Sequence, residues 1–175
     1  MRKIIIVLIL TSVILTSCIS SSDKGAFFDY QNGASCVSGT WNENGCEYSV
    51  VLTMGEITDG ERDRLILEFV SPDTLKGTKF AFERGELTAT LGDMTVTMNA
   101  ETREKIFRLA EMFSLESKGI RDIKVDKEGN TVANGSQDGT DWTVTTDENG
   151  CPCRIEYGGS RFAITEFSPE KAETK

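Results

Sequence analysis

The sequence predicts a mainly β (α+β) protein, a meander of roughly ten short antiparallel strands with one substantial helix. Three observations support this prediction. Apolar residues alternate with polar ones in short runs, turn residues separate those runs, and one later stretch changes to helical spacing. Sheets of this kind usually sit over their own helix or close into a barrel. The sequence shows no internal repeat and no second domain.

The alternating runs define the strands of the first half. Threonine and charged residues occupy the outward positions, as expected of a solvated β-branched surface. The inward sets are Tyr48, Val50, Leu52 and Met54; Leu65, Leu67 and Phe69; Phe80 and Phe82; Leu87, Ala89 and Leu91; and Met94, Val96 and Met98. The turn pairs are Asn44-Gly45, Asp59-Gly60, Arg84-Gly85 and Gly92-Asp93.

Helical spacing appears at residues 101–117, with Asn99 as the expected N-cap and Gly119 as the expected stop. The apolar positions of this stretch are Ile106, Leu109, Ala110 and Phe113, with Phe107 and Met112 beside them. The second half then returns to strand patterns with glycine-containing turns between them. We expect strands at 120–125, 131–136, 140–146, 153–157 and 161–167.

The first eighteen residues predict export and lipidation. Met1-Arg2-Lys3 forms a basic start, and the apolar run 4–15 has the length of a signal-peptide core. A spanning helix needs about 20 apolar residues, so this run is too short to be one. The run ends in Leu15-Thr16-Ser17-Cys18, which resembles the bacterial lipobox. The resemblance implies a diacylglyceryl group on Cys18 and removal of the preceding peptide.

The expected organisation is a signal peptide at 1–17, a lipidated cysteine with a flexible tether at 18–25, a β domain at 26–168 and a charged tail at 169–175. We expect the extracytoplasmic face of the cell membrane as the location. Ile19 follows the cysteine, so the aspartate that marks inner-membrane retention is absent, and the outer membrane is expected if the cell has one.

Composition excludes several classes of function. Cleavage after residue 17 removes Arg2 and Lys3, which changes the formal charge from -9 to -11. We expect no nucleic acid partner, because phosphate neutralisation dominates such binding. The chain has no histidine, which removes the histidine-based triads and the commonest metal ligand. The sequence therefore predicts a protein that is not an enzyme and has no cofactor.

Several segments resemble lipoproteins of the LolA/LolB-like superfamily. They are residues 68–72, the turn at 73–77 with the Phe80/Phe82 strand after it, the hairpin at 147–152 with Ile155 beyond it, and the closing strand at 162–167. The likeness extends over about residues 26 to 168, and its motifs are mostly structural. The family's members carry lipoproteins or bind lipids and glycolipids.

The resemblance implies a curved antiparallel meander that forms a half-open barrel, with the main helix (about 101–117) packed on or in its concave face. It also implies that the protein binds a lipid or other apolar ligand, while protein partners stay unknown. Because a freely shuttling carrier would not be permanently acylated, the lipid on Cys18 favours a LolB-like receptor or a fixed surface role over a LolA-like shuttle.

Two interpretations of the apolar inner face stay open: a cavity that accepts acyl chains, or an ordinary packed core in a structural or protein-interaction lipoprotein. Period-two patterning cannot separate them. The candidate lining residues are Leu52, Met54, Leu67, Phe69, Phe80, Phe82, Met94, Val96, Met98, Phe107, Met112 and Phe113.

Four further cysteines, Cys36, Cys46, Cys151 and Cys153, are candidates for structural disulfides, since the domain is expected to be exported. Pairing within either hairpin is awkward, so we favour cross-links between the two hairpins. A redox pair or a zinc site is less favoured, because the spacing lacks C-x-x-C and histidine is absent.

An acidic loop with Glu56, Asp59, Glu61 and Asp63 admits calcium but fits a solvated hairpin tip better, so no metal is expected.

Overall fold

The computed structural model describes residues 27–58, 61–62, 64–83, 86–98 and 100–169, and eleven of its strands form a single open antiparallel sheet. The first eight strands are β1 (Ser35–Glu43), β2 (Cys46–Met54), β3 (Ile57–Thr58), β4 (Glu61–Arg62), β5 (Arg64–Ser71), β6 (Lys79–Glu83), β7 (Glu86–Leu91) and β8 (Met94–Thr97). After helix α1 (Ala100–Met112) come β9 (Ile120–Val125), β10 (Thr131–Gln137), β11 (Thr140–Thr146), β12 (Pro152–Tyr157) and β13 (Ser160–Pro169). Two 3-10 turns lie at Asp29–Gln31 and Ser117–Gly119.

The strand order explains why α1 must cross the sheet. The order is β8-β7-β6-β5-β2-β1-β13-β12-β11-β10-β9, and β3 and β4 form a separate two-stranded hairpin. Two meanders therefore meet at the β1–β13 pair, and the chain passes from the edge strand β8 to the opposite edge strand β9 through α1. The predicted mainly β fold with one helix over an open curved sheet is confirmed.

The buried faces follow the predicted alternation. In β1 the odd positions from Ser35 to Trp41 are buried, and in β5 Leu65, Leu67 and Phe69 are buried. Directly opposite residues such as Val37 and Leu52 share the concave face because side chains of paired strands point to the same side. The concave face therefore carries the apolar core, against which α1 packs.

The sheet curls where glycines meet aromatic rings. The register shifts at Ser38/Gly39 in β1 and at Asn134/Gly135 in β10, and such bulges increase local twist. The ring of Phe162 lies over Gly39, and a Cβ built on Gly39 would stand 2.5 Å from that ring. The absence of a side chain at these positions lets the sheet bend toward α1.

The predicted helix limit at residue 117 is wrong, because α1 ends at Met112. Phe113 leaves the helix so that its ring packs edge-on against Phe162, with centroids 5.3 Å apart. Asn99, the predicted N-cap, lies outside the described residues.

A single side chain supports the segment after α1. The Gln137 amide donates to the Ser114 carbonyl at 3.3 Å and accepts from the Glu116 N–H at 2.9 Å. These bonds satisfy backbone groups that a longer helix would have paired internally. Gly119, the predicted stop, lies instead in the 3-10 turn that leads into β9. Across the described ranges, no helix combines the length and apolar character needed to span a bilayer.

Candidate functional site

Helix α1 divides the concave face of the sheet into two halves. The side of α1 that faces the sheet buries Ile106, Leu109 and Met112. The Phe107 ring lies edge-on to Phe82 of β6, with centroids 4.6 Å apart. On one side of α1 lie the inner surfaces of β11–β13, and on the other lie those of β6–β8.

The half formed by β11–β13, which we call the covered half, is closed by the segment Phe27–Gln31. The Phe28 ring packs on Trp142 of β11 at 5.6 Å, and Tyr30 packs on Phe167 of β13 at 6.0 Å between centroids. Burial raises the pKa of the Tyr30 phenol, so it stays protonated at any physiological pH. Around Phe28 and Tyr30, this half is therefore packed against the core.

Arg62 ties this segment to the helix. Its guanidinium donates to three carbonyl oxygens: Gly55 at 2.6 Å, Gln31 at 3.2 Å and Phe113 at 2.9 Å. These carbonyls belong to the loop after β2, the N-terminal segment and the residue after α1. A planar cation with several fixed donors is suited to such a junction. Arg62 therefore holds α1 and the cover segment in one arrangement.

The opposite half, which we call the open half, begins with an aromatic row across four neighbouring strands. The row runs Trp41 (β1), Tyr48 (β2), Phe69 (β5) and Phe80 (β6), with centroid separations of 5.5, 5.5 and 5.9 Å. Two of the contacts are edge-to-face, an arrangement that aromatic rings favour. The row passes from buried Trp41 to half-buried Phe80, so it leads from the core toward solvent.

The open half ends in three exposed apolar side chains, which we call the apolar edge. Leu91 is 49% exposed, Met94 70% and Val96 57%. Register places them on the concave face: Ala89 pairs with Phe80 and Val96, and Leu91 pairs with Met94. None of the three belongs to the core cluster or to the apolar residues packed against it. Contiguous exposed apolar surface of this kind commonly marks a binding site.

The inner end of the aromatic row is polar. Glu43 follows Trp41 on the same face of β1, accepts a hydrogen bond from Ser160 and lies 3.6 Å from the guanidinium of Arg108 on α1. The pKa of the Tyr48 phenol is raised, mainly by burial and further by the neighbouring Cys46 thiol and Glu43 carboxylate. The open half thus has an apolar outer end and a charged inner end.

Little apolar space is left where α1 packs on strands β5–β7. The apolar space bounded by Leu65, Leu87, Ile106 and neighbouring side chains measures only about 10 Å³. Two larger clefts have mixed linings: one of about 510 Å³ beside the β12–β13 turn, which includes the Trp142 and Tyr157 rings, and one of about 440 Å³ between Arg108 and Asp138. An acyl chain does not fit the first space, since ordinary ligand pockets begin near 300 Å³.

The candidate lining residues separate into three groups in the structure. Six are buried and fill the core: Leu52, Met54, Leu67, Phe69, Met112 and Phe113. Four are partly buried against that core: Phe80, Phe82, Met98 and Phe107. Met94 and Val96 are exposed on the edge strand β8. Only Met94 and Val96 of the set are exposed, and the other members lie in the core or pack against it.

All four described cysteines are unbonded thiols in the structure. Cys36 pairs with Thr53 and Cys46 with Glu43, as the predicted hairpin requires. Seven residues of strand separate the two cysteines, about 23 Å, so a direct bond between them is excluded without rearrangement. The predicted cross-links between hairpins stay a prediction.

Cys153 has the environment of a structural thiol. Its Sγ donates to the Thr145 carbonyl at 3.3 Å, and burial raises the pKa of the thiol. A raised pKa lowers the thiolate fraction at neutral pH, which argues against a reactive thiol.

The zinc and calcium sites considered above can be compared with the part of the chain that the structure describes. Those residues contain no group of three or more Cys, Asp or Glu side chains arranged to hold an ion. Asp59 and Asp63 of the acidic loop lie outside the described ranges, as does Cys18.

Sequence reasoning missed Trp41 and Arg62. The period-two pattern of β1, in which Trp41 is two positions from Gly39, could have placed the indole on the inner face. Nothing local marks Arg62, since its three acceptors are 7, 31 and 51 residues away along the chain.

Several solved structures have a fold similar to that of this chain. The crystal structure of MucB matches with a TM-score of 0.51 at 10% identity, covering 89% of this chain and 62% of MucB. Two further matches are weaker. A putative outer membrane lipoprotein-sorting protein domain from Vibrio parahaemolyticus has a TM-score of 0.45 at 12% identity, with 87% and 91% of the two chains covered. A LolA superfamily protein from Nitrosomonas europaea has a TM-score of 0.45 at 8% identity, with 88% and 95% covered.

The sequence matches no protein-family model, and no curated protein is significantly similar to it. The likeness to MucB therefore shows a shared LolA-like fold and nothing further. The resemblance predicted from the sequence is confirmed at that level.

Proposed function

We propose that this chain is a membrane-anchored extracytoplasmic lipoprotein that binds a lipid acyl chain, or a similar apolar ligand, along the open half of its concave face. The observation that carries the proposal is the apolar edge, where Leu91, Met94 and Val96 stand exposed on the same face as the core. We infer an open groove rather than an enclosed cavity, since the apolar space between α1 and strands β5–β7 measures only about 10 Å³.

The dimensions and chemistry of the open half suit an amphiphile. From Trp41 on β1 to Val96 on β8 the face crosses six neighbouring strands, about 24 Å at the usual strand spacing. That distance is comparable with an extended long acyl chain. The half-buried rings of Tyr48 and Phe80 and the adaptable Met94 would contact the chain. The Glu43–Arg108 pair at the inner end would meet a polar head group.

The absence of histidine from the whole sequence supports a binding role over a catalytic one. Carboxylate or lysine chemistry is not removed by composition.

Leu91→Asp should weaken binding of an environment-sensitive fluorescent fatty acid by about tenfold or more, because a charge would have to be desolvated against the ligand. The measurement is a titration of probe fluorescence against protein. Val70→Asp is the matched control. Val70 is 46% exposed, close to the 49% of Leu91. It lies at a β-bulge of β5, next to inward-facing Phe69 and outside the apolar edge, so an aspartate there adds the same charge away from the proposed contact. Equal affinities of the two variants, or no saturable binding to the unmodified protein, would reject the groove.

Lipid attachment at Cys18 is tested separately. Replacing Cys18 by alanine removes the acceptor thiol, so the variant should no longer incorporate a radiolabelled fatty acid in cells. The unmodified chain should incorporate the label and sediment with membranes. Label in the Cys18→Ala chain would show that the anchor lies elsewhere.

A second function, a protein-interaction lipoprotein with a packed interior, is favoured by one observation. The apolar space between α1 and strands β5–β7 measures only about 10 Å³. If the fluorescent fatty acid shows no saturable binding while the edge strand β8 captures a polypeptide, this second function replaces the first.

A further inference from the structure

The two edges of the sheet differ in how they are protected. Edge strand β9 carries Arg121, Asp122 and Lys124 among its six residues, and charge on an edge discourages pairing with another chain. Edge strand β8 is Met94-Thr95-Val96-Thr97, without a charge, a proline or a glycine, and all four residues are exposed. β8 is therefore an unprotected edge.

The backbone groups that β8 leaves unpaired can be assigned. The Met98 N–H donates to the Leu87 carbonyl at 2.9 Å, and hydrogen-bonded pairs alternate along an antiparallel ladder. Val96 and Met94 therefore also bond to β7. Thr95 and Thr97 direct their N–H and C=O groups away from the sheet, which gives two donors and two acceptors along the edge.

The sequence of this edge reads the same in both directions. Residues 94–98 are Met-Thr-Val-Thr-Met, a palindrome centred on Val96. In an antiparallel pair related by a two-fold axis, each residue faces a residue at the same distance from the axis on the other chain. With the axis at Val96, Thr95 faces Thr97 and Met94 faces Met98. All four outward backbone groups of each strand then form hydrogen bonds, and like side chains meet on each face.

We propose that β8 is a self-pairing edge, which joins two copies of this chain into a dimer through an antiparallel β8–β8 ladder centred on Val96. Threonines line the outer face of the ladder, while methionine and valine line the concave face. Facing pairs without hydrogen bonds approach closely, so the Val96 side chains of the two copies would be in contact. The eleven-stranded sheets join into one, and the two apolar edges become neighbours.

A second copy fits this edge better than an unrelated peptide, because the palindromic sequence 94–98 pairs with itself in the antiparallel direction. The five residues bring no charge to the ladder, so the negative net charge of the chain is not concentrated at the contact. The inference does not depend on the proposed ligand, since the pairing uses the backbone of Thr95 and Thr97.

Cross-linking at the two-fold axis tests the dimer in the full chain. Val96→Cys is placed in a chain whose exposed native thiols, Cys46 and Cys151, are serine. In facing pairs of this type the Cα atoms are about 4.5 Å apart, within the range of a disulfide. Copper phenanthroline added to cells should convert much of this variant to a band of twice the chain mass on a non-reducing gel.

Val125→Cys is the matched control, because Val125 is 65% exposed on the opposite edge and Val96 57% on β8. It should give little of the doubled band. Adding Thr97→Pro to the Val96→Cys chain should abolish the band. That proline removes only an N–H that points to solvent, so the β7–β8 bonds are kept and circular dichroism should be unchanged.

Equal doubled bands from Val96→Cys and Val125→Cys would overturn the proposal, as would a band that persists with Thr97→Pro. A folded Thr97→Pro chain that is monomeric yet binds the fluorescent fatty acid supports the dimer and the groove as separate properties. Loss of probe binding by Leu91→Asp with an intact cross-link would leave the dimer standing.

Discussion

Replacing Arg62 by alanine should lower the free energy of unfolding by about 3 kcal/mol, because three carbonyl oxygens lose a charged donor at once. The Gly55, Gln31 and Phe113 carbonyls are part-buried, and they receive their bonds from this one guanidinium. The effect should be largest where the cover segment meets α1. Urea unfolding followed by tryptophan fluorescence measures it, since Trp41 and Trp142 are both buried.

Arg121→Ala is the control for this experiment. Arg121 on β9 pairs with Asp141 at 2.9 Å, but both side chains are mostly exposed. Ion pairs in water contribute little, so this variant should unfold within about 0.5 kcal/mol of the unmodified chain. If Arg62→Ala and Arg121→Ala have the same stability, Arg62 does not hold the helix and the cover segment together.

Replacing Gly135 by alanine should also destabilise the fold by about 3 kcal/mol, the upper part of the range for overpacking a core. A Cβ at this position would stand 2.2 Å from the Trp142 ring and 2.3 Å from the Gly119 carbonyl oxygen. The ring cannot retreat freely because it is buried and also packs on Phe28. We therefore expect the covered half to open as well, which a faster amide exchange of β10 and β11 would report.

Gly33→Ala is the matched control for Gly135. No atom lies within 4 Å of a Cβ built on Gly33, and its backbone is not in the left-handed region. The same one-carbon addition should leave the unfolding free energy within about 0.5 kcal/mol of the original. A Gly135→Ala chain as stable as the Gly33→Ala chain would show that the β10 bulge relaxes without cost.

Local sequence determined most of the strands. The predicted strands at 120–125 and 140–146 coincide with β9 and β11, and Asn44-Gly45 closes the first hairpin in the predicted register. Period-two alternation and turn residues act over a few positions, so they can be recognised without knowledge of the fold. Local spacing does not predict the end of α1, because Phe113 packs against Phe162, a residue 49 positions away.

The open groove was only partly predictable. Alternation placed Phe80, Met94 and Val96 on the inner face, and the register confirms that they share it. The pattern could not separate the covered half from the open half. That division depends on where the segment Phe27–Gln31 packs and on the Arg62 bonds that fix it, both of which are long-range contacts.

Two methionines show what each level of structure decides. Met54 and Met94 both lie on the inner face of a short strand, and the sequence by itself determined that face through period two. Only the tertiary structure decided that Met54 is 2% exposed and Met94 70% exposed. The reason is physical: alternation sets the direction of a side chain, while burial depends on what the rest of the chain packs over it.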